Sequence, residues 1–333
     1  MNRPWDELTA LIEPLNTFVL SSHIRPDGDA LGSELGFASI LNQMGKSVQI
    51  INPGQAPDHL QFLDPEKQIR CLNDAAELKK AVLEADCHVV LDTSAWAQLS
   101  SVGTLLKQSS AKKIVIDHHV SSDDLGAEEF KDTISPATGC LVTEYMQHLK
   151  MSCPEHVAQA LYAAIATDTG WFRFPATQSS TMAQAGQLMD WGANPSLLYQ
   201  LLYEQRTDSA IRLNGIVLSR VQCTDDGAAA FTYVTQEDFK QTKAHPADTE
   251  GLVNECLKIK GVKVAYIIVE QLNRTLKVSL RSRGEVDVAK LAEQFGGGGH
   301  IMASGATLQC KLEQGKQSVQ KAVTEALVAA EKA

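Results

Sequence analysis

The sequence predicts an α/β protein: an N-terminal domain built on a mainly parallel sheet, a helical linker, and a smaller mixed α/β C-terminal domain. Three observations predict it. Apolar runs at Thr17–Ser22, Ser47–Ile51, Cys87–Leu91 and Lys113–Ile116 alternate with helical stretches, the pattern of right-handed crossovers in a parallel sheet. After about residue 212 the pattern changes to more closely spaced strands. The length of 333 residues also exceeds the roughly 250–300 that one core serves. The expected organisation is therefore a domain at 1–191, a linker at 192–212 and a second domain at 213–333.

Residues 4–15 read as a short helix packing Leu8, Leu11 and Leu15. The first strand, Thr17–Ser22, runs into the stretch His23-Ile24-Arg25-Pro26-Asp27-Gly28-Asp29. Ala30–Met44 then reads as an amphipathic helix with Leu31, Leu35, Ala38 and Leu41 on one face, closed by Gly45. Gly28 is read as the residue that lets the two flanking carboxylates diverge. Ser47–Ile51 is a strand, Asn52-Pro53-Gly54 a turn, and Leu72–Ala85 a helix. Cys87–Leu91 runs into Asp92, and Lys113–Ile116 into Asp117-His118-His119, with helix around Leu99–Lys107 between them. Further helices are expected at Cys140–Leu149, at His156–Thr167 (ending in Asp168-Thr169-Gly170), at Thr177–Trp191, and from Pro195 to about Tyr203. Beyond the linker, Ile216–Gln222, Ala228–Val234, Lys263–Val269, Leu276–Arg281 and Ser304–Cys310 read as strands. Asp225-Asp226-Gly227 reads as a hairpin turn, and Val286–Phe295 and Gln317–Ala330 as helices.

A hydrophobic share of 44% and a charged share of 21% fit an ordinary globular protein. The net charge of −10 argues against a protein that coats nucleic acid by electrostatics alone. The charge is uneven: residues 251–333 hold twelve Lys and Arg against eight Asp and Glu. That fits a phosphate-gripping part beside a cation-gripping part, or a chance fluctuation of surface charge. Seven cysteines are scattered singly, so reduced cytosolic thiols are the expectation. Asp6, Glu7 and Glu13 interrupt the N-terminus, which speaks against a signal peptide. No run approaches the roughly 18 apolar residues of a membrane span. A cytoplasmic protein is expected.

Four places carry chemistry: His23/Asp27/Asp29, Asp92, Asp117-His118-His119 and Asp168. The first three follow strand ends, and parallel strands bring their carboxyl ends to one edge of a sheet. Carboxylates gathered there repel one another unless cations neutralise them. Two divalent ions would do so, and could activate water for attack on phosphorus. Each residue alone has a plainer reading, as a helix cap, a turn residue or a satisfied histidine. Their conjunction argues for a metal centre. Imidazole mixed with carboxylates suits manganese better than magnesium. Near the C-terminus, Gly296–Gly299 and His300 form either an anion-binding nest of backbone N–H groups or a flexible linker. Arg281 and Arg283 either grip a phosphate or are solvated.

These stretches resemble the DHH superfamily of phosphoesterases. His23–Ser33 is similar to the family's first motif, Leu91-Asp92-Thr93 to its second, Asp117-His118-His119 to its third and Thr167–Gly170 to its fourth. The glycine run with His300 is similar to the type-one DHH-associated domain, with Ile301 where a proline is expected. Within the superfamily the chain is most similar to two-domain bacterial oligoribonucleases that also dephosphorylate 3′-phosphoadenosine 5′-phosphate. The resemblance implies an active site in a cleft between the domains. It implies one metal held by His23, Asp27 and Asp92, and a second held by Asp29, Asp92, His118 and Asp168. The ions would be two Mn²⁺. Asp117 would orient His118 or His119, and His119 would face the scissile phosphate. Gly297, Gly298, Gly299, His300, Arg281 and Arg283 would bind substrate, which would be short RNA or a mononucleotide bisphosphate. Long duplexes and membranes are not expected as partners, and a homodimer stays open. The alternatives are a phosphodiesterase for cyclic or linear dinucleotides, a RecJ-like exonuclease, or a catalytically dead nucleotide sensor.

Overall fold

A computed structural model describes residues 3–73 and 75–330. The chain divides into two compact units, Met1–Gln205 and Arg206–Ala333.

The first unit holds a six-stranded sheet: β1 (Thr17–Ser21), β2 (Ser47–Asn52), β3 (Ile69–Cys71), β4 (Cys87–Leu91), β5 (Lys112–Asp117) and β6 (Glu128–Lys131). Its order is β3-β2-β1-β4-β5-β6, and every pairing is parallel. The order reverses direction between β1 and β4. At such a point the connections leave to opposite sides and open a crevice beyond the carboxyl ends. The β1 end carries His23 and the β4 end carries Asp92, so both candidates sit where the topology makes room.

The edge strands β3 and β6 were not expected from the sequence. Neither is an apolar run: β3 centres on Arg70 and β6 contains Glu128, Glu129 and Lys131. Edge strands tolerate this because one side faces solvent. The helix expected from Leu72 begins at Ala76, because the Leu72 N–H extends the edge pairing to the Asn52 carbonyl.

Around this sheet lie helices α1 (Trp5–Ile12), α2 (Gly28–Gln43), α3 (Ala76–Glu84), α4 (Trp96–Leu106), α5 (Thr138–His148), α6 (Glu155–Asp168), α7 (Ser179–Asp190) and α8 (Pro195–Tyr203). The expected one-sided helix at Ala30–Met44 is instead buried on nearly every side and starts two residues earlier. Asp27 caps it, accepting from the Asp29 and Ala30 N–H groups at 3.0 and 3.1 Å.

Gly28, Gly32 and Gly36 recur every four residues and form a flat stripe on α2 against α6. A Cβ on Gly32 would stand 2.2 Å from the Ala160 carbonyl oxygen, and one on Gly28 2.5 Å from the Thr167 hydroxyl. Gly28 is therefore required by close helix packing. Its φ is not in the left-handed range, which replaces the expectation that it serves to splay the neighbouring carboxylates. This packing sets the Asp29 end of α2 beside the Asp168 end of α6. Gly32→Ala is expected to cost about 1–3 kcal/mol through overpacking. For a unit of this size that is a melting temperature lowered by about 2–12 °C, read by circular dichroism.

The second unit comprises α9 (Asp208–Ser219), β7 (Gln222–Cys223), β8 (Ala229–Val234), α10 (Gln236–Thr242), α11 (Leu252–Leu257), β9 (Val264–Glu270), β10 (Leu276–Ser282), α12 (Val288–Glu293), β11 (Gly298–His300), β12 (Ala303–Leu308) and α13 (Leu312–Ala330). The mixed sheet runs β11-β12-β10-β9-β8-β7, with β8 and β9 parallel and the rest antiparallel. The strand expected at Ile216–Gln222 is mostly helix. Ala210, Leu213 and Val217 recur at helical spacing and are buried, while Ile211 and Leu218 are exposed. The short run Ile216-Val217-Leu218 fits either period, and only the flanking residues decide.

Candidate metal centre

Three strand ends and one helix end of the first unit converge. From the β1–α2 turn come His23, Asp27 and Asp29. Asp92 directly follows β4 with φ +60°, a left-handed conformation that aspartate adopts more readily than most residues. Its N–H still donates to the Ile116 carbonyl, so β5 fixes its place. Asp117 ends β5 and is followed by His118 and His119. Asp168 ends α6.

Asp92 lies at the middle. His23 Nε2 is 3.4 Å from its Oδ2, and His118 Nε2 is 3.4 Å from its Oδ1. His23 is also 3.9 Å from Asp27, and His118 is 3.3 Å from Asp168 and 3.8 Å from Asp29. Three groups of residues each offer ligand atoms within 4.8 Å of one another: His23, Asp27 and Asp92; Asp29, His118 and Asp168; and Asp92, His118 and His119.

The supports are specific. Asp29 is fully buried, and its two oxygens accept from the Thr138 and Gly139 N–H groups at the start of α5, each at 2.7 Å. A helix N-terminus favours an anion. The Ser33 hydroxyl donates to Asp29, and the Thr138 hydroxyl to Asp92. His118 Nδ1 faces the Ser135 carbonyl at 3.2 Å; in the neutral imidazole this bond places the proton on Nδ1 and leaves Nε2 as the lone pair. Asp117 bonds instead to His119, whose Nδ1 is 2.8 Å from Oδ1. Of the two partners open to Asp117 in the sequence, the structure selects His119. The Asp117 carboxylate is held in turn by the Ser94 hydroxyl at 2.7 Å and by Lys131 Nζ at 3.2 Å.

The electrostatics follow from this packing. Burial, then the charges of Asp92, Asp168 and Asp27, pushes the Asp29 carboxyl well above its usual range. Burial and Asp92 likewise raise Asp27, and burial raises Asp168 to about 6 against the opposing pull of His118. For His118, burial lowers the imidazole, but its bond to Asp92 and the charges of Asp92 and Asp168 outweigh that and push it up to about 9. Burial pushes Asp92 up, and the bonds from His118 and His23 more than reverse the effect. Glu34 is fully buried, donor-bonded by Asn52, and raised by burial to about 8, so it adds little negative charge at neutral pH. Like charges with raised pKa values in one buried site are what a cation relieves. Mixed imidazole and carboxylate donors fit a divalent transition metal.

In the second unit, Arg281 is half-buried, one residue before the end of β10, with Nη1 bonded to its neighbour's carbonyl. Arg283 differs from the expected free gripper: its Nε and Nη2 donate to the Val262 and Leu257 carbonyls at 3.0 and 2.7 Å. Two of its donors therefore brace the chain. The glycine run continues into the short strand β11, whose Gly298, Gly299 and His300 pair with β12. A Cβ on Gly297 would stand 2.1 Å from the Gly305 oxygen, so its bareness is needed for close backbone approach. Gly298 and His300 are exposed.

Residues 17–165 match the DHH family N-terminal domain, and residues 226–329 match the DHHA1 domain. The chain carries a DHH domain and a DHHA1 domain. It is 29% identical to the bifunctional oligoribonuclease and PAP phosphatase NrnA of Bacillus subtilis, over 91% of this chain and 92% of that protein. The protein of the same name from Thermus thermophilus is 28% identical over 98% of this chain and 97% of its own. A crystal structure of an exopolyphosphatase-related protein from Bacteroides fragilis superposes with a TM-score of 0.90 at 28% identity, covering 98% and 97% of the two chains.

Some supports of the DHH unit were not read from its sequence. Ser33 stands four residues after Asp29 on one helix, a spacing that places the two side chains together. Thr138 and Gly139 follow Ser135-Pro136 at a helix start, where free N–H groups attract an anion. Lys131 had no local signal, because its strand was not anticipated. Asp117→Asn is expected to lower kcat/KM by about 10–100-fold, the size of effect seen when a partner that orients a site imidazole is lost. It should also lower the His119 pKa, since the bond to Asp117 is the largest cause of its upward shift; proton NMR titration reads this.

Proposed function

We propose that this protein is a metal-dependent hydrolase that cleaves short oligoribonucleotides to mononucleotides and dephosphorylates 3′-phosphoadenosine 5′-phosphate to AMP. The observation that carries it is Asp92, whose two carboxylate oxygens face two separate histidine–carboxylate groups. One carboxylate shared between two donor sets is the arrangement a two-metal phosphoesterase requires. His23, Asp27 and Asp92 would hold one divalent ion. Asp29, Asp92, His118 and Asp168 would hold the other, with Mn²⁺ favoured by the donor set. Bound there, the ions supply Lewis acidity and an activated water for attack on phosphorus.

The chain's own groups do the rest. With Nδ1 committed to Asp117, His119 keeps Nε2 for a phosphoryl oxygen and stabilises the charge that develops there. Its side chain is half-exposed, as contact with substrate demands. The α5 amides orient Asp29 and offset part of the burial that raises its carboxyl. Arg281, Gly297, Gly298, Gly299 and His300 are assigned to bind substrate, with Arg283 contributing through Nη1. The relatives' names support the substrate class. All seven cysteines are free, which supports a cytoplasmic setting; no helix among the described residues is long and apolar enough to cross a membrane.

The test is a length series. Protein supplied with Mn²⁺ should release mononucleotides from labelled di- to pentaribonucleotides, with turnover falling for longer chains, and should convert 3′-phosphoadenosine 5′-phosphate to AMP. Turnover of cyclic dinucleotides alone would replace this reading with a cyclic-dinucleotide phosphodiesterase. Absence of turnover on any phosphoester by metal-loaded protein would indicate a sensor.

A further inference from the structure

The turn after Asp168 carries backbone strain that the metal centre does not explain. Gly170, Trp171 and Phe172 have successive φ values of +56°, +61° and +62°. Glycine takes this conformation freely, but for two aromatic residues it is unfavourable. Strain of this kind persists where surroundings over-determine it, and it gathers at functional positions.

The surroundings are evident. The Trp171 N–H donates to the Ala166 carbonyl at 2.6 Å and the Phe172 N–H to the Thr169 hydroxyl at 3.0 Å. The N–H groups of Arg173 and Phe174 share the Thr169 carbonyl, each at 3.0 Å. Trp171 and Phe172 point inward against Tyr162, with ring centroids 6.1 and 5.7 Å away. Tyr199 and Tyr203 of α8 back Trp171 edge-on at 5.1 and 5.6 Å. The reversal leaves Arg173 and Phe174 outside. The Phe174 ring lies over Gly170, where a Cβ would meet it at 2.5 Å. That places the ring against a residue two positions beyond Asp168. Phe174 is nevertheless 48% exposed. The Arg173 guanidinium stands 5.8 Å from its ring centroid, with Nε fixed on the Gly170 carbonyl at 2.8 Å.

A rigidly held, half-exposed aromatic face with a guanidinium at its edge is what an unpaired nucleobase stacks on. The free donors of Arg173 add attraction for an anionic nucleotide. We propose that Phe174 and Arg173 form a stacking subsite for one unpaired nucleobase of the substrate whose phosphate lies at the Asp92 cluster. The inference rests on the phosphoesterase reading above.

The test uses the full chain with Mn²⁺ and three substrates: a diribonucleotide and the two versions of it lacking one base each. Phe174→Ala should raise KM for the intact dinucleotide by about 5- to 150-fold, the range of one base–aromatic stack, with kcat changed far less. Wild-type protein should show a similar loss on one of the two abasic substrates, and Phe174→Ala should add less than about twofold to it. Phe174→Trp should restore the wild-type KM, and Arg173→Gln should flatten the salt dependence of KM. Equal losses on all three substrates would assign Phe174 a structural role and overturn the proposal, as would an unchanged KM on the intact dinucleotide. So would a change in sedimentation from dimer to monomer in Phe174→Ala, which would make the ring a contact between copies. If wild-type protein cleaves none of the three, the phosphoesterase reading itself fails and this inference falls with it.

Discussion

Asp92→Asn is expected to lower kcat/KM on a diribonucleotide by about 10³-fold or more, equivalent to roughly 4 kcal/mol of transition-state stabilisation. Among the described residues, Asp92 is the one carboxylate within reach of both His23 and His118. Losing its charge weakens both donor sets together, so the several kcal/mol that bound ions contribute to a phosphoryl transition state are forfeited. Asparagine is the informative replacement. The residue sits at φ +60°, which asparagine accepts, whereas alanine adds a backbone penalty of about 1–2 kcal/mol. The Asp92 N–H bond to Ile116 does not involve the side chain, so the sheet should survive. Steady-state kinetics with a thermal melt as the folding control checks this. Retained activity in a folded Asp92→Asn protein would remove the shared-ligand reading.

Adding Mn²⁺ is expected to raise the melting temperature by about 5–10 °C at a metal concentration near 100 times Kd. That figure combines about 2.7 kcal/mol of linkage stabilisation with about 2–4 °C per kcal/mol for a domain of this size. The gain should be larger at pH 8 than at pH 6. Without metal, Asp27, Asp29 and Asp168 have folded-state pKa values above their unfolded ones. The folded form therefore binds extra protons, and stability falls as pH rises from about 4 through 6 and beyond. His118 acts in the same direction. Its contribution is fully present below about 6.5 and is lost as pH rises through about 9. Metal requires these carboxylates ionised and the imidazoles neutral, so its affinity rises across the same window. Melting curves with Mn²⁺ or a chelator at the two pH values measure the difference. A shift independent of pH would mean that the ion binds elsewhere.

Local patterns in the chain were enough for the sheet and for the donors at its edge. Long apolar runs ending in Asp92 and Asp117 announce central strands, because a strand buried on both faces needs continuous apolar residues. His23, Asp27 and Asp29 are within seven residues of one another, so a single turn presents them together. The edge strands at Ile69–Cys71 and Glu128–Lys131 lack that pattern because solvent covers part of their surface. The helix at Asp208–Ser219 was obscured by a three-residue apolar run that fits two periods.

What only the tertiary structure decided are the relations between distant segments. Asp117 turns to His119 because the Ser135 carbonyl already occupies the Nδ1 side of His118. Asp29 is pinned by amides more than a hundred residues away, and Lys131 reaches Asp117 from a strand with no sequence signal. Gly28 looked like a turn residue, and its neighbour across space, Thr167, shows it to be a packing residue. Periodicity and residue type record the environment each segment must meet, so they determine elements and donors. They do not record which partner fills that environment, because those contacts form only when the chain has closed on itself.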